Sequence, residues 1–215
     1  MLLISDSVNK QMFDILKRMI LEQQLKAGER IDCKAIAEEY NTSVMPVRNA
    51  LQQLTVQGLV VTKQRVGYYV REFSEKDLIE INDTRTMYEV HCLGKYFDRI
   101  NKLSMRDLYN RFANTACEDT TAMIALDQEF HKSMVLLSQN SFLIKQYEDM
   151  NCLFSLGNYT GNEYAEVAKE EHMKVLYYIL EGEKEQAVNA LIEHLTRVEE
   201  EIKSFHLKKP AVKNN

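Results

Sequence analysis

The chain contains only two prolines, Pro46 and Pro210, and seven glycines in 215 residues. Proline removes a backbone donor and glycine costs a helix interior about 1 kcal/mol against alanine, so their scarcity leaves long stretches free to stay helical. From Ser74 onward apolar residues recur at helical spacing almost to the end of the chain. Six helices are expected there, at about 75–100, 104–117, 120–138, 141–156, 163–181 and 183–205. Ser74-Glu75-Lys76-Asp77 and Ser104-Met105-Arg106-Asp107 are capping-box-like starts, each a hydroxyl followed three residues later by an acid. Gly157 and Gly182 mark two of the turns.

The first third reads differently. Val8, Met12, Ile15, Leu16, Met19 and Ile20 form an apolar face on a helix from Ser7 to about Glu22. A break at Gly28 precedes a short helix at about Cys33–Tyr40. Asn41-Thr42-Ser43 makes a polar turn, and a third helix runs from Val44 to about Gln57. Ser43 stands at its N-cap position, where a hydroxyl can accept from an orphan N–H. Pro46 falls in the first turn, where its missing N–H costs nothing. Leu-Val-Val-Thr and Tyr-Tyr-Val-Arg-Glu flank Lys-Gln-Arg-Val-Gly and read as the two strands of a hairpin. The fold class is therefore mainly α: an N-terminal winged helix-turn-helix with three helices and a two-stranded wing, and a C-terminal all-α six-helix bundle. The boundaries expected are 1–73 for the head, 74–206 for the bundle, and a disordered tail at 207–215.

Charge permits nucleic acid without demanding it. The chain carries −5 overall, but residues 1–73 hold 10 Lys/Arg against 8 Asp/Glu and residues 74–215 hold 17 against 24. Four scattered cysteines with no CxxC fit reduced thiols. No apolar run approaches a membrane span and no signal-peptide pattern opens the sequence, so a cytoplasmic location is expected.

A helix following a short polar turn fits the major groove, with its first turns against base edges. Arg48 is placed to reach a guanine or a phosphate, Thr42 and Ser43 to donate to phosphates, and Gln64 and Arg65 at the wing tip to enter the minor groove. The bland alternative is a winged helix that mediates protein contacts.

In the second part, His131 lies four residues after Asp127, one turn along the same helix face. His172 and His194 each sit among apolar residues at helical spacing. They lie 10 residues before and 12 after Gly182, so on antiparallel helices they stand at about 15 and 18 Å from the turn. A lone buried histidine is ordinarily a hydrogen-bonded core residue. Three with an aspartate are harder to bury without a common partner. Asp127, His131, His172 and His194 are therefore expected to hold a divalent metal: Zn²⁺, Ni²⁺ or Mn²⁺. His91 is a possible pocket residue and His206 a surface one. Glu129 and Glu171 fall outside the ligand face by helical phase, which leaves a hydrolase without a general base.

The segment Gly28, Ile36, Ala37, Ser43, Pro46, Val47, Arg48, Ala50, Leu51, Leu54, Gly58, Leu59, Val60 resembles the DNA-binding domain of the GntR family over about Val8–Glu72. It departs at Val44, where the family commonly has an arginine that contacts DNA, and at Lys34, a further candidate DNA contact early in the second helix. The Asp-x3-His pair with two later histidines resembles the FCD effector domain of the FadR subfamily, over about 75–205, and six helices place it near the VanR-like group. That resemblance implies a homodimer on a palindromic double-stranded operator, and a small carboxylate effector at the metal, with Arg85 of Arg85-x3-Glu89 as its partner. An i,i+4 pair between Arg85 and Glu89 is the competing reading. The function implied is a ligand-controlled transcription regulator and not an enzyme; the alternatives are a metal-responsive regulator or a helical metallo-hydrolase.

Overall fold

The computed structural model describes residues 4–157 and 165–208. The chain divides into two compact units, one of Met1–Ser74 with Cys152–Gly157 and one of Glu75–Asn151 with Asn158–Asn215.

The first unit contains helices α1 (Ile4–Leu21), α2 (Cys33–Glu39) and α3 (Val44–Val56) and strands β1 (Arg30–Ile31), β2 (Val60–Lys63) and β3 (Gly67–Val70). The apolar faces of the three helices meet in one core built on Leu16, Ile20, Ile36, Val47, Leu51 and Leu54. Asp32 caps α2 by accepting from the backbone N–H groups of Lys34 and Ala35. Ser43 occupies the N-cap position of α3 with extended backbone, but its hydroxyl makes no capping bond, contrary to expectation. At the other end of α3, Gly58 has φ +78°. Its N–H donates to the Thr55 carbonyl while that of Leu59 reaches Leu54, the paired bonds of a Schellman motif.

The wing differs from a two-stranded hairpin. β1 pairs antiparallel with β3, Arg30 opposite Tyr69 and Ile31 opposite Tyr68, giving a three-stranded sheet of order β1-β3-β2. Two residues carry no readable alternation, so β1 is invisible to a period-2 pattern. Its position is set by Ile31, which is buried in the head core.

Six α-helices follow Ser74 among the described residues and build the second unit: α4 (Glu75–Tyr96), α5 (Lys102–Asn114), α6 (Thr120–Leu136), α7 (Ser141–Gly157, its last six residues grouped with the first unit), α8 (Ala165–Glu181) and α9 (Lys184–Lys208). A 3-10 turn at Phe97–Arg99 ends α4 earlier than expected. Gly182, at φ +86°, closes α8 with the same pair of bonds seen after α3. Helix α9 extends to Lys208, past the expected start of the tail; residues 209–215, like the side chain of His206, fall outside those described.

The start of α5 also moves. Asn101, not Ser104, is its N-cap, accepting from Leu103 N–H and Ser104 N–H at 3.0 and 3.3 Å. Asn101→Ala should therefore destabilise this unit by about 1 kcal/mol in urea unfolding, and Ser104→Ala should leave it nearly unchanged. Lysines from other helices satisfy two more helix ends. Lys102 Nζ donates to the Leu180 carbonyl and Lys169 Nζ to that of Thr115, both at 2.8 Å.

The core of this unit runs through Leu93, Phe112, Phe130, Met134, Leu176 and Leu191. Its polar exceptions are informative. Asn82, Arg85 and Glu89 on α4, His131 on α6, His172 on α8 and His194 on α9 are all buried. Asn82 donates to the Leu195 carbonyl. The others converge.

Candidate metal centre and nucleic-acid interface

Asp127 and His131 lie one turn apart on α6, and α8 and α9 bring His172 and His194 to the same point. His172 Nε2 is 3.1 Å from His194 Nε2, which is 3.3 Å from His131 Nε2. Asp127 Oδ1 stands 3.6 Å from Nε2 of both His131 and His172. The Asp127 side chain is 44% exposed while the three imidazoles are buried, so the cluster has a dry side and a wet one.

The other ring nitrogens fix which atoms face inward. His131 Nδ1–H donates to Glu89 Oε2 at 2.6 Å, and His194 Nδ1–H to Glu171 Oε2 at 2.7 Å. A carboxylate can only accept, so these contacts place a ring proton on Nδ1 and turn Nε2 toward the cluster. His172 has no such partner: its Nδ1 is buried without a hydrogen bond, and its ring lies against Phe130 and Phe112, at 4.3 and 5.4 Å between centroids. Unprotonated ring nitrogens and a carboxylate oxygen facing one another repel unless a proton or a metal ion lies between them. Four donors at about 2.0–2.1 Å from a zinc ion would be about 3.3 Å apart in a tetrahedron and about 2.9 Å apart at right angles. The His172–His194 and His194–His131 separations of 3.1 and 3.3 Å match that spacing, and Asp127 Oδ1, at 3.6 Å from His131 and His172, lies slightly beyond it.

Protonation follows the same logic. Burial pushes the His172 imidazole well down, and burial with the His131 and Arg85 charges brings His194 down to about 4 against its bond to Glu171. Both are neutral near pH 7, the form that ligates metal. At His131, burial and Arg85 push downward, but Glu89 and Asp127 outweigh them and the net shift is up. Of the three imidazoles, only His131 is held toward its charged form, by the two carboxylates beside it.

Behind His131 lies a second layer. Glu89, with no exposed side-chain surface, accepts from Arg85 Nε at 2.8 Å and from the Tyr147 hydroxyl at 2.7 Å through Oε1, while Oε2 takes His131. The i,i+4 pair between Arg85 and Glu89 is thus formed. Behind His194, Glu171 Oε1 accepts from Arg197 Nε at 2.6 Å, and Arg197 also pairs with Glu201. The expectation that Glu171 points away from the cluster is therefore corrected. It avoids the donor face but reaches around to the far nitrogen of His194. Glu129 does point elsewhere, into an exposed pair with Arg111. His91 is exposed on α4, edge-on to Tyr96. Tyr147, Glu171 and Arg197 carried no sequence signal as site residues beyond Glu171's adjacency to His172.

In the head, Lys34 lies in the first turn of α2, Arg48 in the second turn of α3, and both are exposed. Ser43 is exposed and Thr42 half-buried in the turn between these helices. Gln64 and Arg65 form the exposed β2–β3 turn, with Arg65 at φ +62°. Val44 is half-buried and packs against the head core.

A winged helix-turn-helix with a helical unit that gathers three buried histidines defines a DNA-binding regulator with a candidate metal centre. The chain matches the description "Bacterial regulatory proteins, gntR family" over residues 9–70 and "FCD domain" over residues 80–197. It belongs to the GntR family of regulators that carry an FCD domain. It is 29% identical over 202 residues to the HTH-type transcriptional regulator YdhC of Bacillus subtilis, covering 90% of each chain. The FCD domain of TM0439, solved metal-free and Zn²⁺-bound, is 29% identical over 63% of this chain and 98% of its own, with TM-scores of 0.58 and 0.56. A GntR regulator from Rhodococcus sp. RHA1 shares the fold at TM-score 0.84 and 20% identity, over 92% of this chain and 98% of its own. Relatives of this kind are named as regulators, not enzymes. No helix among the described residues is long and apolar enough to cross a membrane.

Proposed function

We propose that this is a cytoplasmic transcription regulator whose operator affinity is set by a small organic acid bound at a metal in the helical unit. The observation that carries this reading is the convergence of the Nε2 atoms of His131, His172 and His194, with Asp127 Oδ1 3.6 Å from two of them and the far nitrogens of His131 and His194 tied to carboxylates. Asp127, His131, His172 and His194 would hold the ion, Zn²⁺, Ni²⁺ or Mn²⁺, and the open side at Asp127 would admit the acid. The bound ion would supply a positive centre for a carboxylate. Arg85 adds to that potential, since its charge acts on Asp127, His131, His172 and His194. We keep it as the candidate partner of the acid, acting on the site with Glu89.

In the head, α3 would enter the major groove with Arg48, while Lys34, Thr42 and Ser43 contact phosphates and Gln64 and Arg65 the minor groove. A homodimer on a palindromic site is the arrangement that two such heads require. The acid can change operator affinity only by its own preference between two states of the protein. Native mass spectrometry with elemental analysis on the undenatured protein tests the site. One divalent ion per chain is expected, with an acid-sized adduct lost on desalting. A chain without stoichiometric metal under metal-replete conditions overturns the proposal.

A further inference from the structure

We propose that Met45 reads a thymine 5-methyl group in the operator. This rests on the reading that α3 is the groove-entering helix.

Helix α3 begins at Val44, and only its first two residues are apolar ahead of Pro46. They part company at once. Val44 packs half-buried against the head core, whereas Met45 is 60% exposed. Met45, Arg48, Gln52 and Val56 fall at i, i+3, i+7 and i+11, one stripe on a 3.6-residue helix, and all four are exposed. Asn49, beside the stripe, is tied down by its amide donating to Asn9 Oδ1 at 3.4 Å. The solvent face of α3 therefore presents an apolar residue at its N-terminal end, followed one turn later by Arg48.

Position decides what that residue can do. The N-terminal residues of a recognition helix are the ones that approach base edges. In the major groove the thymine methyl is the apolar feature among donors and acceptors, and apolar side chains contact it. A thioether chain has no rigid rotamer demand and covers a methyl well. Val44 cannot serve, since the core holds it. Arg48, one turn on, meets a guanine or a phosphate on the same groove face. Met45 would thus supply a base preference that a phosphate contact does not, and specify thymine at a fixed offset from the base or phosphate bound by Arg48.

The test uses the full-length protein and a duplex enriched by in vitro selection against it. Each thymine is replaced in turn by deoxyuridine, which removes only the methyl. Wild type should lose about three- to tenfold in affinity at one thymine per half-site. Met45→Ala, a surface change, should keep its circular dichroism spectrum, lose similar affinity on the thymine duplex, and show no further loss with uracil at that position. Arg48→Ala run alongside should weaken binding to every duplex. Uracil sensitivity absent in wild type, or equal in Met45→Ala and wild type, overturns the assignment of Met45. If Arg48→Ala also binds like wild type, the groove-entering role of α3 fails with it.

Discussion

His194→Ala should purify without stoichiometric metal. Structural zinc sites bind with about 10–16 kcal/mol over four ligands, so losing one should weaken affinity by about a hundredfold to a thousandfold. His172→Ala should behave alike, since its Nε2 lies 3.1 Å from that of His194. Glu171→Ala should fall between these variants and wild type, at about 10- to 100-fold, because it removes only the carboxylate that aligns the His194 ring. His91→Ala, at an exposed position outside the cluster, should keep full occupancy. Metal retained by both histidine variants would remove the four-donor site. His194→Gln gives a second version of the experiment if the alanine packs poorly.

The second large effect concerns Glu89. Its carboxylate sits in the interior and accepts from Arg85, Tyr147 and His131 at once. Burial opposes its ionisation, but the His131 and Arg85 charges overcome this and hold the carboxyl below its ordinary value. Glu89→Ala leaves a guanidinium that is 2% exposed without its carboxylate. Breaking a buried pair by removing one member costs about 3–5 kcal/mol, and the helical unit should unfold at correspondingly lower urea. Replacing both members, Arg85→Met with Glu89→Met, should recover part of that loss, because the guanidinium leaves together with its carboxylate. The double variant should still bind metal more weakly than wild type, since His131 has lost the acceptor that orients its ring. Stability equal to wild type in Glu89→Ala would show that the Arg85 charge has another sufficient partner.

These effects mark where sequence pattern runs out. The grouping of Asp127, His131, His172 and His194 was legible because each obeys a local rule: Asp127 and His131 share a helix face, and Gly182 sets His172 and His194 at similar depth. Helical periodicity likewise located α1, α3 and the six helices of the bundle. The supporting layer was not legible. Glu171 was read by the phase of its own helix, yet its contact is with the far nitrogen of a histidine on the next helix. Tyr147 meets Glu89 across 58 residues, and only the packing of the bundle brings them together. Two local rules also competed and the less conspicuous won. Asn101 caps α5 although Ser104 offers the fuller capping-box pattern, because Lys102 and Leu103 extend the helix by nearly a turn. In the head, Val44 was legible only as a departure from the family's arginine; the structure packs it half-buried against the core and leaves Met45 exposed beside it.

The most direct test of regulation through the helical site is operator affinity measured by fluorescence anisotropy on metal-loaded protein while small mono-, di- and hydroxycarboxylic acids are titrated in. A regulator of the proposed kind shifts its operator affinity by about tenfold, within the usual 1–3 kcal/mol range of coupling, for at least one acid, and His194→Ala abolishes that shift. Affinity that follows metal concentration alone, with no acid able to move it, would make the protein a metal sensor. Affinity indifferent to both would contradict a regulatory role for the histidine cluster.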